Sequence, residues 1–138
     1  MTSRRHFLAS ALAAAALAGL PHTARALVLQ RRDPTPHPTP RPGITGANVL
    51  TAEQLREVSK LIPLFDTVRA MPEIVDGIRC NCGCAGMEGF YSLLSCYEGK
   101  GMARSCGICQ GQAKLAGRLH REGKSLDEIR SAIDAKFG

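Results

Sequence analysis

The chain has 138 residues, and its 18 Lys and Arg against 12 Asp and Glu give a formal net charge of +6. Most of this excess lies near the N-terminus, because residues 50–138 carry twelve basic and eleven acidic side chains. A nearly neutral region in a chain with 4% aromatic residues lacks both the basic field and the stacking platforms of nucleic-acid-binding proteins, so we expect no nucleic-acid partner.

Residues 1–26 have the features of an export signal. Ser3-Arg4-Arg5-His6-Phe7-Leu8 resembles a twin-arginine motif, and the apolar run after it is short for a membrane span. Ala24-Arg25-Ala26 has the A-x-A pattern of a cleavage site, which predicts a mature chain starting at Leu27. The alternatives are a general-secretion signal with two arginines, or an uncleaved signal that is the only membrane anchor. We therefore expect a periplasmic or other extracytoplasmic location.

Residues 27–49 are predicted to be a Pro-rich linker. Prolines alternate with Thr, His and Arg between residues 34 and 42, a pattern that favours extended polyproline geometry without a core. The linker would separate the signal peptide from a single domain at residues 50–138. A domain of that length has a modest core, and covalent or metal cross-links would add to its stability.

The domain is predicted to be all-α. Thr51 and Gln54 form a capping box for a helix that ends near Ile62, and Pro63 ends that helix or opens the next one. Further helices are predicted over 64–70, 72–77, 90–97, 105–122 and 125–136. The glycine-rich stretch 83–89 is predicted to be a loop. The expected fold is thus a small cysteine-rich helical domain with a cysteine-rich loop.

The helix predicted to start after Ser105 carries two of the six cysteines. At about 100° per residue, three apolar side chains share the face that we expect to be buried, namely Ile108, Leu115 and Leu119. Cys106 and Cys109 lie one turn apart on an adjoining face, where both sulfurs can reach one metal ion or each other. His120 lies about 16 Å from Cys109 along the helix, so we expect a surface or packing residue rather than a ligand.

The cysteines are predicted to form a metal site. In an extended stretch, alternation would place three sulfurs on one side, those of Cys80, Cys82 and Cys84. Cys106 and Cys109 open a helix, where free N–H groups favour thiolates, and Cys96 is expected to be peripheral. A cysteine-rich set with few histidines and carboxylates favours Cu(I) first and Zn(II) second. Met87 and Met102 lie nearby in the sequence and could add thioether ligands for Cu(I), but we expect both to be packing residues.

Structural disulfides are the first alternative. An even number of cysteines in a small exported domain often means disulfide bonds, which would make the protein a metal-free structural or interaction module. Cysteines two residues apart rarely bridge, so the first three would pair with Cys96, Cys106 and Cys109. Twin-arginine export favours the metal, because that route carries proteins already folded in the reducing cytoplasm.

Redox-active thiols are the second alternative. Cys106-Gly107-Ile108-Cys109 is a CxxC motif at a helix start, an arrangement that tunes a thiol for disulfide exchange with a redox partner. Cys106, nearest the free N–H groups, would attack, and Cys109 would resolve the mixed disulfide. No strand–helix–strand pattern predicts a thioredoxin fold, and no general base is evident. We therefore expect a binding protein, which exchanges metal with a transfer partner, rather than an enzyme.

The ordered set of cysteines resembles a known family. It consists of Arg79-Cys80-Asn81-Cys82-Gly83-Cys84, then Cys96, Cys106-Gly107-Ile108-Cys109, and Gly123-Lys124-Ser125-Leu126-Asp127-Glu128-Ile129-Arg130. From about Leu64 onward, the chain looks like the exported bacterial proteins named for a Pro-Cys-Tyr-Cys-Gly-Cys motif. It departs from the pattern with Arg79 for the proline and Asn81 for the tyrosine. The resemblance implies an exported cysteine-rich module.

A shorter resemblance supports the redox alternative. Cys106-Gly107-Ile108-Cys109-Gln110-Gly111-Gln112, with Gly123-Lys124-Ser125 and Ala135-Lys136-Phe137-Gly138, is similar to the thiol-reductase helical domain of cytochrome c maturation. This similarity implies thiol–disulfide exchange through Cys106 and Cys109. It leaves the other four cysteines without a role.

Overall fold

The computed structural model describes residues 35–138, so the predicted signal peptide and residues 27–34 of the predicted linker lie outside the described residues. Within this range the regular structure is helical, no strand is formed, and one isolated antiparallel bridge joins Val49 to Glu98. The all-α prediction is confirmed. Among the same residues, no helix has the length and apolar character needed to cross a membrane.

Four α-helices form the framework: α1 (Ile62–Ala70), α2 (Pro72–Asp76), α3 (Gly107–Arg121) and α4 (Leu126–Phe137). Pro63 lies in the first turn of α1 and Pro72 opens α2. A backbone N–H at these positions has no acceptor within the helix, so proline costs no hydrogen bond there. Ser125 caps α4 through the predicted capping box, with its own N–H donating to Glu128 at 2.8 Å. Local sequence therefore sets the starts of three of the helices.

Two predicted helices are largely replaced by turns. The Thr51 N–H donates to Gln54 Oε1 at 2.8 Å as expected, but the chain continues as turns and a 3₁₀ segment, Arg56–Leu61, that is kinked at Val58. The predicted helix over 90–97 is reduced to a 3₁₀ turn, Leu94–Tyr97. Short helices gain most of their stability from packing. The apolar side chains of the first segment do pack against the core at a helical spacing, but no regular α-helix forms there. Tertiary contacts therefore set the backbone of these segments.

The core lies where α1, α3 and α4 meet the segments around the cysteines. Its largest fully buried side chains include Leu55, Phe65, Ile78, Leu93, Leu94, Tyr97, Ile129 and Ile133. The rings of Phe65 and Tyr97 meet edge to face, with their centroids 4.7 Å apart. Tyr97 directly follows Cys96, so this aromatic pair fixes the position of that cysteine within the core.

The buried face of α3 differs from the predicted one. Ile108 is 43% exposed and Leu115 and Leu119 are only partly buried, so the prediction that these three form the core side is wrong. The fully buried residues of α3 are Cys109, Gln112, Ala113, Ala116 and Gly117. A Cβ atom on Gly117 would lie 2.8 Å from Thr67 Cγ2 of α1. Close approach of the two helices thus requires the face with small side chains, which hydrophobicity alone does not identify.

Residues 35–49 of the Pro-rich segment pack against the helical domain. The buried carboxylate of Asp76 accepts hydrogen bonds from the Arg41 N–H at 2.8 Å, from the Arg41 guanidinium at 2.7 Å and from Ser92 Oγ at 2.7 Å. His37 Nδ1 accepts from the Arg79 N–H at 2.9 Å. The segment therefore supplies specific polar contacts to the domain that its proline-rich composition did not indicate.

Candidate metal centre

Four cysteines that are far apart in the sequence meet at one point. The sulfurs of Cys80, Cys82, Cys96 and Cys109, the four-thiol set, all lie within 4.8 Å of one another. Three of these residues are buried, and Cys82 is half-buried. Cys96, which we expected to be peripheral, lies inside the set. Four sulfurs at these separations can hold one thiophilic metal ion.

The remaining two cysteines adjoin the four-thiol set. Cys84 is buried, with its sulfur 2.9 Å from that of Cys82 and 3.4 Å from that of Cys96. Cys106 is half-buried at the start of α3, and its pKa responds to the thiols of Cys109 and Cys82. The structure thus brings five of the six predicted cysteines into sulfur contact and places Cys106 one turn before one of them, Cys109.

Turns, rather than an extended stretch, bring the first three sulfurs together. Residues 81–86 are in turn conformation, and Gly83 has φ +93°, in the left-handed region that favours glycine. The sulfurs of Cys80 and Cys82 are nevertheless 3.2 Å apart. The expectation that alternation along an extended chain would align the three cysteines is wrong, because the tight loop around Gly83 achieves the convergence.

The start of α3 places the second pair of cysteines. Cys106, and not Ser105, occupies the N-cap position, and its carbonyl accepts from the Gln110 N–H at 3.1 Å. Cys109 lies one turn further on, with its carbonyl accepting from the buried Tyr97 hydroxyl at 2.9 Å. The predicted cap at Ser105 is therefore displaced by one residue, which brings the Cys106 thiol closest to the free N–H groups of the helix.

A residue that sequence analysis did not single out holds the cysteine loop against α3. The fully buried Gln112 accepts from the Asn81 N–H through Oε1 and donates to the Arg79 carbonyl through Nε2, both at 3.1 Å. These two bonds flank Cys80. A polar residue one turn after Cys109, on the same helix face, is the signal that could have revealed this role.

The two residues at which the chain departs from the Pro-Cys-Tyr-Cys-Gly-Cys pattern contact each other. Arg79 Nε donates to Asn81 Oδ1 at 2.8 Å, and Arg79 Nη2 donates to Asp134 of α4 at 2.7 Å. The Arg79 N–H bond to His37 is one that a proline at this position could not form. Among the described residues, the buried Asn81 Nδ2 has no hydrogen-bond partner. The loop thus keeps a spare donor between Cys80 and Cys82.

The thiols alter one another's pKa because they are too close to ionise together. Hydrogen bonds from the thiols of Cys109 and Cys96 lower the pKa of Cys80. The pKa of Cys109 is raised by its hydrogen bonds to Cys80 and Cys96 and by burial, and the pKa of Cys84 is raised mainly by burial. Such a cluster favours ionisation of Cys80 over that of Cys84 and Cys109, and a bound cation would allow those thiols to ionise as well.

Cys106 has a different environment from its neighbours. Burial acts to raise its pKa, but hydrogen bonds from the Cys109 N–H and thiol and from the Ile108 N–H outweigh burial, so the pKa is lowered. A half-buried thiol with a lowered pKa is available both as a metal ligand and as a nucleophile.

All six cysteines are free thiols, and the described part of the chain contains no disulfide. Two contacts join the first three cysteines to the later ones, Cys84 to Cys96 at 3.4 Å and Cys80 to Cys109 at 3.5 Å. These are non-bonded distances, well above the ~2.05 Å of a disulfide bond. The donor set as it stands consists of sulfur alone, which suits a soft metal ion.

Two exposed methionines border the cluster. Met87 is 57% exposed and Met102 is 46% exposed, so the expectation that they pack is wrong. The Met87 N–H donates to the Cys84 carbonyl at 3.0 Å, and the Cys106 N–H donates to the Met102 carbonyl at 2.9 Å. His120 is exposed, as predicted. Each methionine is thus joined through its backbone to one of the two cysteines outside the four-thiol set, and its side chain is exposed.

The fold and the site define a cysteine-rich helical protein with a candidate thiolate metal centre. A family model described as "Protein of unknown function with PCYCGC motif" matches residues 44–138. This match covers more than half of the chain, so the protein belongs to the PCYCGC family, as the resemblance indicated. No match was found among curated proteins or among solved structures.

Proposed function

We propose that this protein is an exported metal-binding protein that holds Cu(I), or as second choice Zn(II), through cysteine thiolates. The observation that carries the proposal is the four-thiol set, whose sulfurs lie within 4.8 Å of one another. Sulfur-only sites select soft ions, and metal binding supplies the positive charge that lets closely spaced thiols ionise.

The ranking of copper above zinc depends on the sulfur outside the four-thiol set. Zn(II) takes four ligands in a closed tetrahedral site, which the four-thiol set alone provides. Cys84 and Cys106 add thiols beyond that number, and Met87 and Met102 add exposed thioethers nearby. Surplus soft donors at the edge of a site favour Cu(I) and provide a route for passing it to a partner protein.

The proposal is tested by removing two ligands from separate parts of the chain. The Cys82→Ser/Cys109→Ser double variant is expected to lose tight Cu(I) binding, measured anaerobically in competition with a chromophoric chelator. Ser105→Ala is the matched control, because Ser105 is exposed beside Cys106 and caps nothing. If the double variant held copper as tightly as the parent protein, the site assignment would be wrong.

Export through the twin-arginine pathway is part of the proposal and rests on residues 1–26. Replacing both Arg4 and Arg5 with Lys is expected to retain the protein in the cytoplasm. N-terminal sequencing of the exported parent protein is expected to begin at Leu27. Export of the double-lysine variant at the parent level would show that a general-secretion signal operates instead.

Thiol–disulfide exchange is a second candidate function, favoured by the lowered pKa of the half-buried Cys106. The Cys106 thiolate would attack a partner disulfide, and Cys109 would then displace the partner thiol and close the CxxC disulfide. The metal-free, reduced protein would exchange with glutathione disulfide near neutral pH, and Cys106→Ser would not. Slow alkylation of both thiols at neutral pH would exclude this function.

A further inference from the structure

The two cysteines outside the four-thiol set are placed as bridging ligands. The Cys84 sulfur lies 2.9 Å from that of Cys82 and 3.4 Å from that of Cys96, two members of the set. Cys106 lies at the N-cap of α3, one turn before Cys109, which is also a member of the set, and it is half-buried. A single tetrahedral ion would leave both thiols unused, although one of them is buried against the site.

We infer that the six cysteines together form one polynuclear Cu(I)–thiolate cluster, in which Cys84 and Cys106 bridge ions that the four-thiol set also binds. This inference rests on the proposed copper function and specifies its stoichiometry. If every thiolate bridges two ions and every Cu(I) has three sulfur neighbours, six thiolates satisfy about four Cu(I) ions. The sulfurs of five cysteines already form one connected network of contacts, which matches this bridging pattern and runs from Cys96 through Cys84, Cys82 and Cys80 to Cys109.

The balance of charge also favours several monovalent ions. Six thiolates in a largely buried site carry a charge that closely spaced sulfurs cannot hold without cations. About four Cu(I) ions would leave the cluster with a charge near −2. Each thiol that binds releases one proton, and no sulfur or copper changes its oxidation state.

Access to the cluster is from the side of the two half-buried cysteines. Cys82 and Cys106 reach solvent, whereas the other four cysteines are buried. Burial on the inner side limits contact of bound Cu(I) with water and oxidants, and the half-buried thiols provide the path for loading.

The test is an anaerobic titration of the reduced full chain with Cu(I), followed by elemental analysis, native mass spectrometry and the luminescence of polynuclear Cu(I) thiolates. We expect binding to saturate near four ions per chain, with luminescence. Cys106→Ser is expected to lower the stoichiometry and the luminescence while one tight ion remains. Because Cys106 is half-buried, this variant tests the inference even where the buried Cys84→Ser does not fold.

The possible outcomes separate the inference from the proposed function. Saturation of the parent protein at one ion, with the same stoichiometry in Cys106→Ser, would overturn the polynuclear cluster and leave the Cu(I)-binding function standing. Failure of the parent protein to hold any Cu(I) against the chelator would overturn both. Ser105→Ala, with all six thiols intact, is expected to bind as the parent protein does.

Discussion

Arg79 links the cysteine loop to two other parts of the molecule. It stands where the family motif has proline, and its guanidinium contacts both Asn81 in the loop and Asp134 on α4. Its backbone N–H donates to His37, so that the Pro-rich segment is joined to the residue next to Cys80. The departure from the motif therefore replaces a conformationally restricted proline with an arginine that makes several hydrogen bonds.

His37 is expected to make stability depend on pH. Burial lowers its pKa more than the hydrogen bond to Asp134 raises it, and the charges of Arg79 and Arg130 lower it further. The folded imidazole therefore binds its proton more weakly than the unfolded one. The stability that neutral His37 contributes is present above the pKa of the unfolded-state imidazole, about 6.5, and is lost as the pH falls below that pKa.

Urea unfolding between pH 5 and pH 8 would measure this effect. His37→Asn is expected to have a shallower decrease in unfolding free energy on acidification than the parent protein. His120→Asn is the control, because His120 is exposed. Equal slopes for the parent protein and His37→Asn would show that the titration of His37 does not contribute.

Gly101 allows the chain to pass close to Cys96. A Cβ atom at this position would lie 2.2 Å from the Cys96 carbonyl oxygen, a backbone atom that cannot rotate away. Gly101→Ala is expected to lower the unfolding free energy by about 1–3 kcal/mol, and to weaken metal binding by displacing Cys96. Gly107→Ala, with nothing within 4 Å of its Cβ, is the control and is expected to add about 0.4–1 kcal/mol.

Helix α3 organises the site at the scale of secondary structure. Cys106 is its N-cap and Cys109 lies in its first turn. The next turn carries Gln112, which binds the backbone on both sides of Cys80. The same helix packs through small side chains against α1. One element therefore determines the position of both cysteine groups relative to the core.

Removal of the Gln112 side chain is expected to loosen the cysteine loop. In Gln112→Ala, the Asn81 N–H and the Arg79 carbonyl lose their partner, which costs about 1–3 kcal/mol of stability. Metal affinity is expected to fall by about 10–100-fold, because the side chain orients a ligand loop without binding the ion. Chelator competition and urea unfolding measure the two effects. Lys114→Ala, on the exposed face of α3, is the control, and an unchanged affinity in Gln112→Ala would contradict the assigned role.

Over the described part of the molecule, the cysteine cluster is continuous with the hydrophobic core, which includes four of the cysteines. The rest of that core consists mainly of apolar side chains such as Phe65, Ala113 and Ile129, which need no metal ion to pack. The cluster joins the loop around Gly83, the turn at Cys96 and the start of α3. We therefore expect the metal-free protein to keep its helices and the bound metal to add stability by connecting these three segments.

Metal binding is expected to raise the thermal stability of the whole domain. At a free Zn(II) concentration of about 100 times the dissociation constant, the unfolding free energy rises by about 2.7 kcal/mol. Calorimetry with and without Zn(II) measures the shift in Tm, and a chelator should reverse it while the helical circular dichroism remains. The Cys82→Ser/Cys109→Ser variant is expected to show no shift. A Tm of the parent protein that does not respond to the metal would contradict the prediction.

Features that depend on neighbouring residues could be predicted from the sequence alone. Proline at a first helical turn and the Ser125 capping box determine where α1, α2 and α4 begin, because these contacts are made within one turn. The chemistry of the donors was also apparent, because six cysteines within 30 residues are a soft ligand set in any arrangement. The family followed from the order of the same residues.

Only the tertiary structure decided which atoms meet. Cys80 and Cys109 are 29 positions apart, and their contact depends on the turn at Gly83, on the clamp by Gln112 and on the buried face of α3. That face is selected by the close approach of Gly117 to Thr67. This steric fit between two helices is not visible in the periodicity of apolar residues along the sequence. Long-range packing likewise placed His37 and Arg41 on the domain, since their partners lie tens of residues away in the chain.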